Sequence, residues 1–315
     1  DPAVLAILDK FEDDHSGDAR VHVLRSINGG ISAAQNRALD IVTCDYFGWL
    51  DHDDQLNPRA IELVSEAITN AEAPPQIVYS DEDKIDARGN HFELYCKPEF
   101  SPELVLSQMY VCHLTVFDKS LVARHGGFRS EMDGAQDYDL LLRLLPEISN
   151  VVHVPHPLYH WRSWRGSTAQ SIDAKPWAQV ATQRAQQDFL DRTGGGTSFS
   201  SPIPGLNEVH PTVLDSPVVS VIIPTVGQRD RASDSRFVDS AVQTLLDAES
   251  KATLEMIVVT TGEMGPVEGV SKQVVYQPKQ GFNFAEAINA GRAHASGNYL
   301  LLLNDDTMAV TPDPV

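Results

Sequence analysis

The sequence predicts an α/β protein in which a mostly parallel sheet is flanked by helices. Strand and helix signals alternate along the chain, and this alternation is typical of parallel α/β proteins. A unit of helix, short turn, strand and acidic turn also occurs twice. The length of 315 residues suits about two domains. The sequence therefore predicts two related α/β domains in one chain.

The repeated unit indicates where each domain is cut. Its two copies match at one constant offset of 253 residues, which pairs Asn36 with Asn289, Tyr46 with Tyr299, and Asp53 with Asp306. The second copy begins near Val218, so the first copy is expected to lack roughly its first 35 residues. The second copy stops just past its acidic turn. Neither copy is expected to be whole: the sequence favours a fragment of a longer tandem protein, with a rearranged domain as the alternative.

Three segments follow from this repeat. Residues 1–193 are predicted to form a domain without its first strand, residues 194–217 a linker, and residues 218–315 the N-terminal half of a second domain. The linker prediction rests on the density of Gly, Ser and Pro from Gly194 to Pro204. Ahead of the linker, a four-residue spacing of Trp177, Ala181, Ala185 and Phe189 predicts a helix that stops near Gly194.

Local patterns predict the other elements. Ser32 and Gln35 have the spacing of a capping box, which predicts a helix starting at Ser32. Asn57 before Pro58 predicts the start of a second helix, and Asp137 the start of a third. The apolar faces expected on these two helices are Ile61, Val64 and Ile68, and Leu140, Leu141 and Leu144. Strands are predicted at 46–50, 76–80, 113–117, 218–223 and 254–259.

Composition excludes several classes of protein. The formal net charge is −20, so the chain lacks the basic surface of a nucleic-acid binder. An anionic ligand would need a metal ion or a few local cations to offset the repulsion. No apolar run is long enough to span a membrane. The three cysteines are scattered, which favours a reducing compartment, here the cytoplasm, and predicts no disulfide framework.

Clustered acids follow two of the predicted strands. Asp51, Asp53 and Asp54 follow one strand, and Asp81-Glu-Asp83 follows another. Clustered carboxylates repel each other unless something neutralises them, and hard oxygen ligands suit Mg²⁺ or Mn²⁺. The alternative for each cluster is a solvated acidic turn ahead of a helix, where Asp is favoured anyway. The repetition of the turn favours the metal site at Asp51 and Asp53, whereas both interpretations stay open for 81–83.

Two further segments could carry chemistry. Asp137 is either a general base with an exposed carboxylate or an aspartate favoured by the helix dipole. In the run from Leu158 to Thr168, His160 could be a metal ligand and Arg162 and Arg165 could neutralise phosphates. The alternatives are a structural histidine and surface arginines. The density of polar and aromatic groups in this run favours function.

Five motifs in this order resemble a bacterial family 2 glycosyltransferase, most closely the tandem-domain enzymes of O-antigen and other surface polysaccharide assembly. The motifs are Asn28-Gly-Gly-Ile-Ser32 with Asn36, Leu50-Asp-His-Asp-Asp54, Tyr79-Ser-Asp-Glu-Asp-Lys84, Gly134-Ala-Gln-Asp-Tyr-Asp-Leu140 and Leu158-Tyr-His-Trp-Arg162. The resemblance covers residues 1–170 and 216–315. It implies a GT-A fold, whose Rossmann-like sheet binds a nucleotide diphosphate sugar.

The resemblance also implies a role for each site residue. A divalent metal, Mg²⁺ or Mn²⁺, would be held against the diphosphate by Asp51 and Asp53, with Asp54, His160 and, in the second copy, Asp306 as further metal-binding residues. Donor binding would involve Asn36, Asp51, Arg162 and Arg165. Asp137 would deprotonate the acceptor hydroxyl, and the anomeric centre would be inverted by direct displacement. The acceptor would be a glycan or lipid-linked hydroxyl. For the location, peripheral association with the inner membrane stays open beside the cytoplasm.

Departures from the family pattern keep a second function in competition. The first copy lacks the opening strand of the family, and the second copy has Asn304-Asp-Asp306, in which only Asp306 matches Asp53. A non-catalytic nucleotide-sugar or glycan-binding module is therefore the alternative, above all for the second copy. A glycoside hydrolase with paired acids is a third candidate. The alternating sheet pattern with an acidic pair at a strand end disfavours it.

Overall fold

The computed structural model describes residues 2–163, 176–203, 205–212, 215–248, 250–262 and 264–310. The chain divides into two compact units, Asp1–Thr212 (unit 1) and Val213–Val315 (unit 2). The division falls inside the segment predicted as a linker. Among the described residues, no helix is both long enough and apolar enough to cross a bilayer.

Unit 1 contains seven α-helices and eight strands in its described part. The helices are α1 (Pro2–Asp14), α2 (Ile31–Ile41), α3 (Ala60–Asn70), α4 (Pro102–Val105), α5 (Lys119–Arg124), α6 (Gln136–Leu144) and α7 (Pro176–Thr193). The strands are β1 (Tyr46–Gly48), β2 (Gln55–Leu56), β3 (Ile77–Ile85), β4 (His91–Tyr95), β5 (Thr115–Asp118), β6 (Val151–Arg162), β7 (Gly196–Ser200) and β8 (Asn207–Pro211).

The main sheet of unit 1 is mixed, so the prediction of a mostly parallel sheet is wrong here. Its strand order is β1-β5-β3-β6-β2. Strand β5 pairs with the first part of β3, and β4 pairs with the last part. Among its described strands, only β3 and β6 pair in parallel, and the other four pairings are antiparallel. Short apolar strands carry no signal for direction, because direction depends on which distant strand lies alongside.

Strand β3 extends five residues past its predicted end at Ser80. The sequence predicted that the acids 81–83 follow the strand in a turn. They instead lie within the strand. A run of three acids is typical of a loop, and the sequence does not reveal the distant groups that pair with these acids in the sheet. Asp81 accepts hydrogen bonds from the Lys97 backbone N–H (2.8 Å) and from His153 Nε2 (2.8 Å), so this buried carboxylate is paired.

Two helix starts differ from the predictions. Helix α2 begins at Ile31, and Ser32 lies inside it instead of capping it. The Ser32 backbone N–H donates to Asp133 Oδ1 (3.1 Å), so a residue from a distant loop supplies the cap. Helix α3 begins at Ala60, and its buried face centres on Ala60 and Val64, whereas Ile61 is exposed. Helix α6 begins as predicted and buries all its residues except Asp137.

The residues expected to form a linker instead contain an antiparallel ribbon. Strands β7 and β8 pair along their whole length, and β7 packs on α7. The Ser198 hydroxyl donates to Gln186 Oε1 (2.6 Å) on this helix. Gly and Ser density predicted flexibility, but regular pairing and contacts with α7 stabilise the segment. Helix α7 ends at Thr193, next to the predicted stop at Gly194.

Unit 2 has a fully parallel four-stranded sheet, as the sequence predicts. Its described elements are β9 (Val218–Thr225), α8 (Phe237–Asp247), β10 (Thr253–Thr260), β11 (Lys272–Val275), α9 (Phe284–Arg292) and β12 (Tyr299–Leu302). The strand order is β11-β10-β9-β12. Strands β9 and β10 carry the buried β-branched runs identified in the sequence, and both faces of these strands contribute to the core.

Candidate functional site

The acidic loop Asp51–Asp54 follows β1 and is anchored by β6. Tyr159 Oη donates to Asp54 Oδ2 (2.5 Å), and the Arg162 backbone N–H donates to Asp54 Oδ1 (2.8 Å). Burial raises the pKa of Asp54, although the hydrogen bonds from Tyr159 and Arg162 act in the opposite direction. Asp54 is therefore held as the inner carboxylate of the loop.

The backbone of the same loop is also tied to β6. Tyr159 Oη accepts from the Asp51 backbone N–H (3.3 Å), and Arg162 Nε donates to the Asp53 carbonyl oxygen (2.6 Å). The Asp51 side chain is exposed and that of Asp53 is 35% exposed. Arg162 thus brings a cation to the loop through a backbone contact. Solvent therefore reaches the side chains of Asp51 and Asp53 on a loop whose main chain is tied to β6.

Asp137 lies in the first turn of α6 and lines a cavity of about 410 Å³. The cavity also contains Glu82, His113 and Trp161. Burial raises the pKa of Asp137, the charge of His113 lowers it, and the negative charge of Asp51 raises it further. Tyr159, which accepts from the Asp51 backbone N–H, stacks on His113 of this cavity, so the acidic loop adjoins the cavity wall. A raised pKa makes Asp137 a stronger base than an ordinary aspartate.

Glu82 and His113 form a paired group at this cavity that the sequence analysis did not identify. Glu82 Oε2 lies 3.1 Å from His113 Nδ1 and 3.7 Å from the ammonium of buried Lys97. Burial alone would lower the pKa of His113, but Glu82 and Asp137 outweigh burial and raise it. Burial alone would raise the pKa of Glu82, but His113 and Lys97 outweigh burial and lower it. The cavity wall therefore carries a paired carboxylate and imidazole next to Asp137.

Aromatic rings complete the wall. The His113 ring stacks on Tyr159, with centroids 4.8 Å apart, and lies 5.3 Å from Trp161. Tyr159 and Trp161 alternate with His160 along β6, and this spacing of two was a signal in the sequence that they share a face. His113 had no comparable local signal, because its neighbours come from β3 and β6.

The structure brings His160 to Asp83 and His91. Asp83 Oδ1 lies 2.6 Å from His160 Nδ1, and Asp83 Oδ2 lies 2.9 Å from His91 Nδ1. These three residues are the candidate metal-ligand group within the described part of the chain. His160 was predicted to bind the same metal as Asp53. In the structure it instead contacts Asp83 on β3 and His91 on β4.

The remaining predicted residues are dispersed. Asn36 bonds the Phe128 backbone twice, donating from Nδ2 to the carbonyl (2.7 Å) and accepting at Oδ1 from the N–H (2.8 Å). The binding of the sugar donor by Asn36 stays a prediction. In the structure, its two hydrogen bonds hold the loop after Gly127 in place. Arg165 lies outside the described residues. Asp306 is exposed and lines a cavity of about 250 Å³ in unit 2.

The unit 2 cavity reproduces only part of the unit 1 site. Asn304 and Asp306 line it together with Asp305, whose Oδ2 accepts from Thr225 Oγ1 (2.5 Å). At the repeat offset, Asn304 takes the place of Asp51. A larger cavity in unit 1, of about 760 Å³ between α3 and α5, contains none of the predicted site residues. Volume alone therefore does not identify the site.

Comparisons with known proteins agree with the motifs. The sequence profile of the family described as "Glycosyl transferase family 2" matches residues 2–126 of the chain. The chain is 36% identical over 327 residues to the uncharacterized protein y4gI of Sinorhizobium fredii. This alignment covers 99% of this chain and 35% of that protein. It is 31% identical over 303 residues to the O-antigen biosynthesis protein RfbC of Myxococcus xanthus, covering 94% of this chain and 23% of that protein.

The chain thus spans about a third and a quarter of the lengths of these two relatives. Among solved structures, S. aureus TarS (residues 1–349), determined in complex with UDP-GlcNAc, is 13% identical, with a TM-score of 0.41. That match covers 58% of this chain and 59% of TarS 1–349.

Proposed function

We propose that unit 1 belongs to an inverting, divalent-metal-dependent glycosyltransferase of the GT-A type. It would transfer a hexosyl group from a nucleotide diphosphate sugar to a hydroxyl of a glycan or lipid-linked acceptor in surface polysaccharide synthesis. The observation that carries the proposal is geometric: Tyr159, which bonds Asp54 of the acidic loop, stacks on His113 of the cavity that Asp137 lines. The family 2 match at residues 2–126 supports the donor class.

The chemistry of the acidic loop fits Mg²⁺ or Mn²⁺. Asp51 and Asp53 offer accessible carboxylate oxygens, which are the ligands these hard cations prefer. Asp54 is already bonded by Tyr159 and Arg162, so it would position the loop. When bound, the ion would neutralise the diphosphate and stabilise it as a leaving group.

Asp137 would act as the base of a single displacement. Its carboxylate takes the proton of the acceptor hydroxyl while that oxygen forms the new bond to the anomeric carbon. The bond from this carbon to the diphosphate oxygen breaks, and the electron pair leaves with the diphosphate. Because attack and departure occur on opposite sides, the configuration is inverted. Trp161 and His113 offer faces on which a sugar could stack.

Transfer by the protein tests this proposal. We would supply UDP-, GDP- and dTDP-sugars with Mn²⁺, measure release of the nucleoside diphosphate, and determine the anomeric configuration of the product by NMR. Asp137→Asn is expected to lower the rate about 10³-fold, because the base is lost while its shape is kept. Glu66→Gln, an exposed change on α3, is the control. Full activity of Asp137→Asn would contradict the proposal.

The two units also support a tandem arrangement of two related domains. Strand β1 of unit 1 and β12 of unit 2 are counterparts at the repeat offset. If they are treated as one strand, the two sheets combine into the order β11-β10-β9-β12/β1-β5-β3-β6-β2. We infer that each unit represents a different part of one repeated domain.

A fusion of the two parts tests this inference. Residues 218–306 joined directly to residues 54–212 would contain each strand of the combined order once. We expect this chain to unfold in one cooperative transition in urea, because the shared strand would link both halves of the sheet. Two independent transitions would contradict the inference.

A non-catalytic binding module is the second candidate, for unit 2. Asn304 stands where unit 1 has Asp51, and Thr225 holds Asp305. Such a site would bind a nucleotide sugar or glycan with fewer charged ligands. For the whole protein we propose a cytoplasmic location, because all three cysteines are free thiols.

A further inference from the structure

Strands β3 and β6 present different chemistry on their two faces near the acidic loop. Glu82 pairs with Tyr159 and Lys84 with Trp161 in the strand register. Glu82 and Trp161 line the Asp137 cavity, and the Lys84 ammonium lies 5.7 Å from the Trp161 ring centroid. Successive side chains of a strand alternate between faces. Asp83 and its register partner His160 therefore lie on the face opposite to the cavity.

Three strands contribute to the group on this opposite face. Asp83 comes from β3, His160 from β6 and His91 from β4, and one ligand atom from each lies within 4.8 Å of the others. The Asp83 and His160 side chains are about nine-tenths buried, whereas the His91 side chain is half exposed. The rings of His91 and His160 meet edge to face, with centroids 4.6 Å apart. Both imidazoles direct Nδ1 towards the same carboxylate.

We propose that Asp83, His91 and His160 form a second metal site, which binds a borderline divalent cation of the Zn²⁺ class. One carboxylate and two imidazoles suit this class, whereas Mg²⁺ prefers oxygen ligands alone. Tetrahedral Zn²⁺ places its ligand atoms roughly 3.3 Å apart, so the present contacts of 2.6 and 2.9 Å need to open only slightly. Water reaches the exposed side of His91 and supplies the fourth ligand.

The ion would act as a clip between strands. Each of the five residues of β4 is exposed, so burial contributes little to holding this strand on the sheet. Bonds from one ion to β3, β4 and β6 would fasten β4 and stiffen the segment of β3 that carries Glu82. This role is independent of sugar transfer and of the ion proposed for the acidic loop.

Metal binding to the tag-free protein after treatment with EDTA tests the proposal. We would titrate with Zn²⁺ by calorimetry and with Co²⁺ by visible absorption, in which tetrahedral coordination by nitrogen ligands has characteristic bands. We expect one tight equivalent and a rise in melting temperature of roughly 5 °C at excess ion. His91→Gln should weaken binding about 100-fold and remove most of that rise. Because His91 is half exposed, this variant should fold.

Two comparisons make the result specific. His22→Gln changes an exposed histidine elsewhere and should bind Zn²⁺ like the wild type. Asp53→Asn removes a ligand of the acidic loop and should also keep the tight equivalent. If no tight equivalent binds, or if His91→Gln binds it unchanged, the group is only a hydrogen-bonded triad and the proposal is overturned. Neither result bears on transfer, which Asp137→Asn tests separately.

Discussion

The two units use the same acidic turn in different surroundings. In unit 1 the turn is bonded to Tyr159 and Arg162 of β6, and Tyr159 stacks on His113 of the Asp137 cavity. In unit 2 the corresponding turn follows β12, and its contact with Thr225 on β9 is a single side-chain hydrogen bond. The comparison teaches that an acidic turn at a strand end becomes a candidate active site only when later strands support it and a later helix supplies a base.

The helices before these turns show the same contrast. Helix α9 carries its own cap, since Asn283 Oδ1 accepts from the Glu286 backbone N–H (3.0 Å). At the repeat offset, α2 has Gly30 in this position, which offers no side-chain cap. Asp133 replaces it from a loop about a hundred residues away. Equivalent helices can therefore be capped by local sequence in one copy and by tertiary structure in the other.

The largest difference between the units is expected for metal binding at the two acidic turns. Asp53→Asn should weaken Mn²⁺ binding in the presence of a nucleoside diphosphate by about 100-fold, because it removes a ligand. Asp306→Asn should change it less than twofold, since unit 2 lacks the counterpart of Asp51. Electron paramagnetic resonance of free Mn²⁺ measures both. Equal losses in the two variants would show that the turns are equivalent.

A smaller effect is expected when the support of the turn is removed. Tyr159→Phe deletes the hydroxyl that donates to Asp54 and accepts from the Asp51 N–H. We expect Mn²⁺ affinity to fall roughly 10-fold, because the ligands keep their identity but lose their fixed geometry. Thr225→Val is the matched change in unit 2 and should leave this affinity unaltered. Unchanged binding in Tyr159→Phe would mean that β6 does not position the loop.

The capping contrast predicts similar losses of stability from different kinds of mutation. Asp133→Ala should destabilise α2 by about 1–2 kcal/mol, because its N-terminal N–H group loses its acceptor. Asn283→Ala should cost α9 about 1 kcal/mol. Hydrogen exchange of the amides in each helix measures both losses separately. Unchanged exchange in α2 of Asp133→Ala would show that the long-range cap contributes nothing.

The smallest effect concerns the stability of unit 1 as a function of pH. Burial raises the pKa of Asp137 above that of the unfolded chain, so its ionised form costs folding free energy at neutral pH. Asp137→Asn should therefore melt at a higher temperature than the wild type at pH 7. The difference should shrink as the pH falls through the folded pKa and vanish below the unfolded pKa, where both states are protonated. A difference that grows in acid would have the wrong sign.

Most elements were predictable because they depend on local patterns. The β-branched runs at β9 and β10 and the start of α6 at the Asp137 segment are confirmed. The acids 81–83 were misassigned to a turn because their partners, such as His153, lie more than 70 residues away. The roles of Asp51 and Asp137 stay predictions. Glu82 was identified in the sequence only as one of the clustered acids 81–83, and His113 was missed because its partners Glu82 and Tyr159 lie on distant strands.

The sequence by itself determined most helices and strands, the repeat offset and the acidic turn after β1, because periodicity and spacing act over a few residues. Tertiary structure alone decided the direction of the strands in unit 1, the partners of His160 and the cap of α2. These features depend on which distant segments lie side by side, and the pleat of β6 separates His160 from Tyr159 and Trp161. The pairing of β3 with β6 thereby places Tyr159 and Trp161 on the face of the cavity and His160 on the face of the Asp83–His91 group.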